Sequence, residues 1–247
     1  MGIKVKDAKV IYNTTRQYFD KLKKLSLVEL GEQELKIWHN ETNDKLINNF
    51  VLSNPRIWPE KPPCKRLGFF SKDFLETLFK TVVVIDVVKH CPKTLDYDLG
   101  VELRTQRFNS KFNVLTNFGT TEHVGELKYY KNPQYHAYKN IHNIVIQGGL
   151  MFHNVPQSPN KKSCSQHGAF NYDKIFFMEL AKACNYEVIF STMDDRGGLK
   201  FVSCCLRKND DSNFITEKMF NTLSGLYPTK KRRRKSFTKY LKTFFLE

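Results

Sequence analysis

The stretch Lys111-Phe112-Asn113-Val114-Leu115-Thr116-Asn117-Phe118-Gly119-Thr120-Thr121-Glu122-His123-Val124 decides how the rest of the chain is read. An apolar run (Phe112, Val114, Leu115) stops abruptly in small and polar residues. A buried parallel strand reads this way when it delivers a loop to the carboxyl edge of a sheet. Open α/β sheets bind ligands at that edge. Asn117, Gly119, Thr120, Thr121, Glu122 and His123 fall on the loop. Taken alone they are equally an ordinary turn, so the weight rests on the other strand ends.

Working outward, Ser26-Leu27-Val28-Glu29-Leu30-Gly31 reads as a short buried strand. Its glycine permits a tight turn and a close approach of backbone to ligand. Thr81-Val82-Val83-Val84-Ile85-Asp86 is the clearest strand, with β-branched residues leading to an acid. Nucleotide folds place a ribose-binding carboxylate at such a strand end. Gly31 and Asp86 are 55 residues apart instead of the usual ~20, so 32–68 reads as an insertion. That segment carries Trp38, Trp58 and Pro55, Pro59, Pro62 and Pro63, and is either a cap over a site or an ornate surface loop. Thr94 to Leu99 is a third strand, with Asp96 and Asp98 on one face.

Helices are expected over Lys4–Lys24, Phe74–Lys80 and Tyr129–Val145, the last closed by Gly148-Gly149 as a C-cap. Leu150–Val155 reads as a strand. A polar loop over 157–168 leads to a helix capped by Asn171 and running to about Asn185. Tyr186–Met193 and Leu199–Arg207 alternate as an antiparallel hairpin around Gly197-Gly198. Phe214–Tyr227 reads as a final amphipathic helix. The summed pattern is βαβ alternation ending in a hairpin, hence a mostly parallel sheet with an antiparallel edge. The expected division is an N-terminal helix (1–25), a main domain (26–207) with the 32–68 insertion, and a C-terminal helix with a basic tail (208–247).

The chain has 247 residues, is 40% hydrophobic and 13% aromatic, and carries a net charge of +15. That length and composition suffice for a real core and argue against wholesale disorder. Residues 230–247 hold eight Lys/Arg and one Glu, so they contribute +7. A basic balance makes an anionic partner plausible, whether nucleic acid, phosphorylated substrate or membrane surface. Lys230-Lys231-Arg232-Arg233-Arg234-Lys235 reads as a solvated tail, a nuclear address or a phosphate contact. No run of about 18 apolar residues spans a membrane, and the N-terminal stretch has no apolar leader, so a cytoplasmic location is expected. The six cysteines form no C-x-x-C pair and no Cys/His cluster has ligand spacing. Free thiols and no metal site are therefore expected.

As a set, Glu29-Leu30-Gly31, Asp86, Asp98-Leu99 and Asn117-Phe118-Gly119-Thr120-Thr121-Glu122-His123-Val124, with the closing hairpin, resemble the class I S-adenosylmethionine-dependent methyltransferases. "Glu-His-Val" after the fourth strand, "Gly-Gly-Leu" before the fifth and "His-Gly-Ala-Phe-Asn-Tyr" before the next helix look like the small-molecule branch. The resemblance covers about residues 20–207. It implies a Rossmann-like methyltransferase sheet with helices on both faces and S-adenosylmethionine as cofactor. It implies that Glu29 and Gly31 stand at the methionine moiety, Asp86 at the ribose, Asp98 and Leu99 at the adenine, and Asn117, Phe118 and Gly119 beside the reactive methyl. His123 is the implied catalytic candidate at the mouth of the substrate pocket, with His167 and Tyr172 on the substrate side. One departure stands out: Gly31 is followed by Glu32-Gln33-Glu34, so the first motif keeps a single glycine, and two acids lie where a carboxylate-bearing ligand is expected.

Three functions follow from these residues. The first is methyl transfer to a small molecule, a sugar or other metabolite. The second is methyl transfer to nucleic acid through the basic tail, although no Asn-Pro-Pro-Tyr-type tetrad follows the fourth strand. The third is a non-catalytic, methyltransferase-like binding subunit.

Overall fold

A computed structural model of the chain describes residues 2–38, 44–52, 66–87, 94–103, 108–126, 128, 130–158, 160, 167–195 and 198–229. In chain order the elements are β1 (Gly2–Lys4), α1 (Val5–Tyr18), β2 (Ser26–Leu30), β3 (Glu34–Trp38), α2 (Lys45–Leu52), β4 (Arg66–Phe70), α3 (Ser71–Leu78), β5 (Thr81–Asp86), β6 (Thr94–Asp96), β7 (Phe112–Phe118), α4 (Pro133–Ile144), β8 (Val145–Pro156), β9 (Phe170–Tyr172), α5 (Lys174–Ala183), β10 (Tyr186–Asp195), β11 (Lys200–Lys208), α6 (Glu217–Phe220) and β12 (Leu226–Pro228).

Seven strands form one sheet in the order β10-β11-β8-β7-β2-β5-β6. Pairing is parallel from β6 to β8, and β11 runs antiparallel to both β8 and β10. The expected mostly parallel sheet with an antiparallel C-terminal hairpin is therefore present. Strand order reverses between β2 and β7, which makes their carboxyl ends the topological switch point.

Alternate residues of each strand serve opposite faces. Leu27, Val82, Val114, Phe118, Leu150 and Phe152 pack with α1 and α3 on one face. Val28, Leu30, Ile85, Leu115, Met151 and Val155 pack with α4 and α5 on the other. The second face is rich in rings: Phe176 lies 5.1 Å from Tyr138, 5.2 Å from Phe177 and 5.6 Å from Tyr172.

Four sequence expectations are corrected. Residues 32–68 are not irregular throughout, because β3 and β4 pair antiparallel and β1 adds to β3 in parallel, giving a three-stranded sheet. Leu35, Ile47 and Phe50 bury themselves against the α1 face, so β1 and part of the insertion form one packed unit. Gly148 and Gly149 do not cap α4. The helix passes directly into β8, and the glycines form an irregularity in its pairing with β7, Gly148 taking φ +76. Asn171 lies in β9; the N-cap of α5 is Asp173, whose carboxylate accepts from the Ile175 amide at 3.0 Å. The last helix is only Glu217–Phe220. Gly225 at φ +78 turns the chain so that β12 pairs with β9.

The N-terminal helix ends at Tyr18 and is followed by a 3-10 turn over Leu22–Lys24. Cys184, Cys204 and Cys205 are free and buried. Among the described residues no helix is long and apolar enough to cross a membrane. Trp58, the prolines of the insertion, Cys64, Cys91, Cys164 and the basic tail from Lys230 lie outside the described residues.

Candidate functional site

The carboxyl ends of β2, β5, β6 and β7 surround a cavity of about 460 Å³ at the switch point. β2 contributes Gly31, Glu32 and Gln33; β5 contributes Ile85, Asp86 and Val87; β6 is followed by Tyr97, Asp98 and Leu99; β7 is followed by Gly119, Thr120, His123 and Glu126.

Gly31 takes φ +70, and a Cβ on it would meet the Thr120 hydroxyl oxygen at 2.2 Å. That hydroxyl donates to the Leu30 carbonyl at 2.6 Å, tying the two switch-point strands together. The Gly31 amide donates to the Ile85 carbonyl at 2.8 Å. The turn between strand and cavity is thus bare backbone braced on both sides, a geometry that a residue with a side chain would break. Asp86 accepts from the Glu32 amide at 2.8 Å, which fixes the turn that leaves Gly31. Asp98 accepts from the Gly100 amide at 2.8 Å and the Tyr130 hydroxyl at 2.5 Å. Burial, followed by this bond to Asp98, pushes the Tyr130 hydroxyl up to about 12.

Of the two acids after Gly31, Glu34 is exposed in β3. Glu32 stays on the cavity wall, where its carboxylate accepts from the Thr94 hydroxyl at 3.3 Å. Carboxylates from Glu32, Asp86, Asp98 and Glu126 share the lining with Lys128 and His123. An acidic cavity in a chain of net charge +15 favours a cationic or hydroxyl-rich ligand over a phosphate backbone.

Of the residues implicated by sequence, Gly31, Asp86, Asp98, Leu99, Gly119 and His123 come together on this wall. Glu29, Asn117, Phe118, His167 and Tyr172 are not part of it. Phe118 packs in the core on the α1 face. The Asn117 amide donates to the Thr121 hydroxyl at 2.9 Å and lies 3.0 Å from His153 Nδ1. It therefore shapes the loop from beneath. Tyr172 is fully buried, its hydroxyl donating to the Gln134 side-chain oxygen at 2.6 Å. His167 lies beside His123, with ring centroids 4.8 Å apart. Burial lowers its basicity first, and the neighbouring His123 adds to this. His142 and His153 are core residues, held by burial at about 4 and about 3. Sequence reading placed Thr120 on the ligand-edge loop without a role and passed over Gln33, Tyr97 and Glu126 as lining. Glu126 pairs with His123 three residues earlier, but it lies beyond the 3-10 turn, where no helical spacing rule flags the pair.

Glu29 faces away from the cavity. Its carboxyl oxygen lies 2.6 Å from the Ser71 hydroxyl, and burial pushes it up to about 8. The folded protein therefore binds a proton here that the unfolded chain, with a carboxyl near 4.5, has already released. Stability from this group is fully present below about pH 4.5 and is lost as pH rises towards about 8. Urea unfolding at pH 5 and pH 8 is expected to show a smaller stability gap in Glu29→Gln than in the parent, with the variant gaining most at pH 8. An unchanged gap would show that Glu29 does not stay protonated in the fold.

Among solved structures, the fold is similar to 1,6-didemethyltoxoflavin-N1-methyltransferase of Burkholderia thailandensis (13% identity, 82% of this chain and 77% of that one, TM-score 0.47). It is also similar to TehB of Haemophilus influenzae (12%, 81% and 62%, TM-score 0.49). N-methyltransferase NodS of Bradyrhizobium japonicum WM9 is a third (12%, 83% and 88%, TM-score 0.45). Likenesses this distant do not bear on the chemistry of the site. No protein-family model matches the sequence, and no curated protein sequence matches it.

Proposed function

We propose that this chain is an S-adenosylmethionine-dependent methyltransferase acting on a small-molecule acceptor, a sugar or other metabolite. The observation that carries the reading is the cavity at the reversal of strand order, with carboxylates at the ends of β5 and β6 and a bare glycine turn at the end of β2.

The cofactor, when bound, supplies a methyl group already activated on a sulfonium, so the protein's task is largely binding and orientation. Asp86 would hold the ribose hydroxyls. Asp98 and the Leu99 backbone would meet the adenine, with Tyr130 steadying the Asp98 carboxylate. Gly31 and Gly119 leave room for the methionine end. The acidic lining matches a ligand that carries both a sulfonium and an ammonium group.

On the acceptor side stands His123, half-exposed at the cavity rim. Its Nδ1 lies 2.6 Å from a Glu126 carboxylate oxygen. A proton on Nδ1, donated to Glu126, leaves the Nε2 lone pair, 3.9 Å from Glu122 Oε1, as the atom that would orient an acceptor or receive its proton. His167 adjoins it as a second contact for the acceptor.

Calorimetric titration of the full chain with S-adenosylmethionine tests the reading. Micromolar binding is expected. A folded sample that takes up no cofactor overturns the enzyme assignment and leaves the binding-subunit reading.

A further inference from the structure

Behind His123 sits a carboxylate that the cofactor cavity does not use. Glu122 lies in the 3-10 turn Thr121–His123 that follows β7, and its side chain is wholly inaccessible. Neither of its carboxylate oxygens has a hydrogen-bond partner among the described residues. A buried carboxyl without a partner is costly in either protonation state.

Two imidazoles face it. His123 Nε2 lies 3.9 Å and His167 Nε2 3.8 Å from Glu122 Oε1, and the three atoms fall within 4.8 Å of one another. Ligand atoms around a zinc-sized ion, each bound at about 2.0–2.2 Å, stand roughly 3–4 Å apart. Small rotations of the two half-exposed rings would close the set.

The surrounding chain holds this arrangement. The Ala169 amide donates to the Glu122 carbonyl at 2.7 Å. Gly168 takes φ +72, and a Cβ on it would strike Glu122 at 2.9 Å, so only glycine lets His167 come this near. The Thr229 hydroxyl, in the residue that follows β12, donates to the Gly168 carbonyl at 2.9 Å and clamps the same loop. On the other side, Glu126 accepts from His123 Nδ1, which turns Nε2 towards Glu122. Histidine ligands commonly have a carboxylate on the second ring nitrogen in this way.

We propose that Glu122, His123 and His167 bind a divalent transition-metal ion of the zinc class through one carboxylate oxygen and two imidazole nitrogens. Two imidazoles and a carboxylate suit zinc, iron(II) or cobalt(II) better than magnesium or calcium, which favour all-oxygen sets. Three protein ligands leave coordination positions open. Because His123 also lines the cavity, those positions border it. The acceptor class this selects is a small molecule whose oxygen or nitrogen can coordinate the ion. That last step rests on the methyltransferase reading; metal binding itself does not.

The test is titration of the chelator-treated full chain with Co²⁺, followed by visible absorption, with Zn²⁺ added as competitor. One equivalent with d–d bands, displaced by Zn²⁺, is expected. His167→Ala alters a half-exposed side chain and keeps the fold by circular dichroism; it should weaken binding at least ~tenfold. Glu126→Gln should weaken it by about ten- to a hundredfold, the range for lost outer carboxylates. Absence of a spectrum, thiolate-to-cobalt bands in its place, or titrations unchanged in His167→Ala would overturn the site. Cofactor titration of the same samples separates the two readings: cobalt bound without cofactor fails the methyltransferase assignment alone, and the reverse fails the metal site alone.

Discussion

Asp86→Ala is expected to weaken S-adenosylmethionine binding by about ten- to a hundredfold or more while leaving the chain folded. Asp86 closes β5 at the cavity and has two tasks there. One carboxylate oxygen accepts the Glu32 amide at 2.8 Å, so the side chain fixes the turn that follows Gly31. The carboxylate also stands on the cavity wall where ribose hydroxyls would lie. Hydrogen bonds to a charged group contribute about 1.5–3 kcal/mol, and every ~1.4 kcal/mol is a factor of ten in affinity. Loss of one such bond together with the brace on the turn gives the expected range. Asp86→Asn keeps an acceptor for the Glu32 amide but loses the charge, so it should fall between the parent and the alanine variant. Calorimetry on all three measures this. Equal affinities would remove Asp86 from the cofactor site and with it the present orientation of the ligand.

The largest expected effect on stability is in the ring cluster between the sheet and α5. Phe176 in α5 is completely buried and makes ring contacts with Tyr138, Tyr172, Phe177 and Phe220. Truncation to alanine removes the transfer free energy of a phenyl group and leaves a cavity that the four neighbouring rings cannot fill without leaving their rotamers. Such changes cost about 3–5 kcal/mol, a large share of a total stability of about 5–15 kcal/mol. The adjacent Ile175 is 45% exposed, and Ile175→Ala should lie within about 0.5 kcal/mol of the parent. Urea unfolding of both variants tests this. A midpoint for Phe176→Ala close to the parent's would mean that the ring cluster is not the tightly packed core described.

The strands were legible because their chemistry is local. Thr81–Asp86 is β-branched and ends in an acid, and it is a strand over those same residues. Phe112–Phe118 follows the apolar run of the opening stretch, and the closing hairpin follows alternation. The shorter elements were less legible. Phe214 to Tyr227 has helical spacing, yet most of it is drawn into contacts with α4 and β9, and Gly225 turns the chain into β12. The β3–β4 pair was hidden because the stabilising partner, β1, lies some 30 residues earlier in the chain.

The sequence by itself determined the fold class, the mostly parallel sheet with its antiparallel hairpin, and the acids Asp86 and Asp98 at or just after the ends of β5 and β6. It also determined the glycine at the switch point, since only glycine adopts φ +70 there without strain. Only the tertiary structure decided which side chains of those strands face the cavity. A parallel strand buried on both faces is apolar on both, so its pattern does not say which residue looks which way. That is why Glu29 turns to Ser71 and Asn117 to His153. Only the tertiary structure, too, brought His167 against Glu122 and His123. Those residues are 44 positions apart along the chain from His123 to His167, and no spacing rule joins them. The contact arises because β9 returns beside the end of β7, with Gly168 small enough to let the loop close on Glu122.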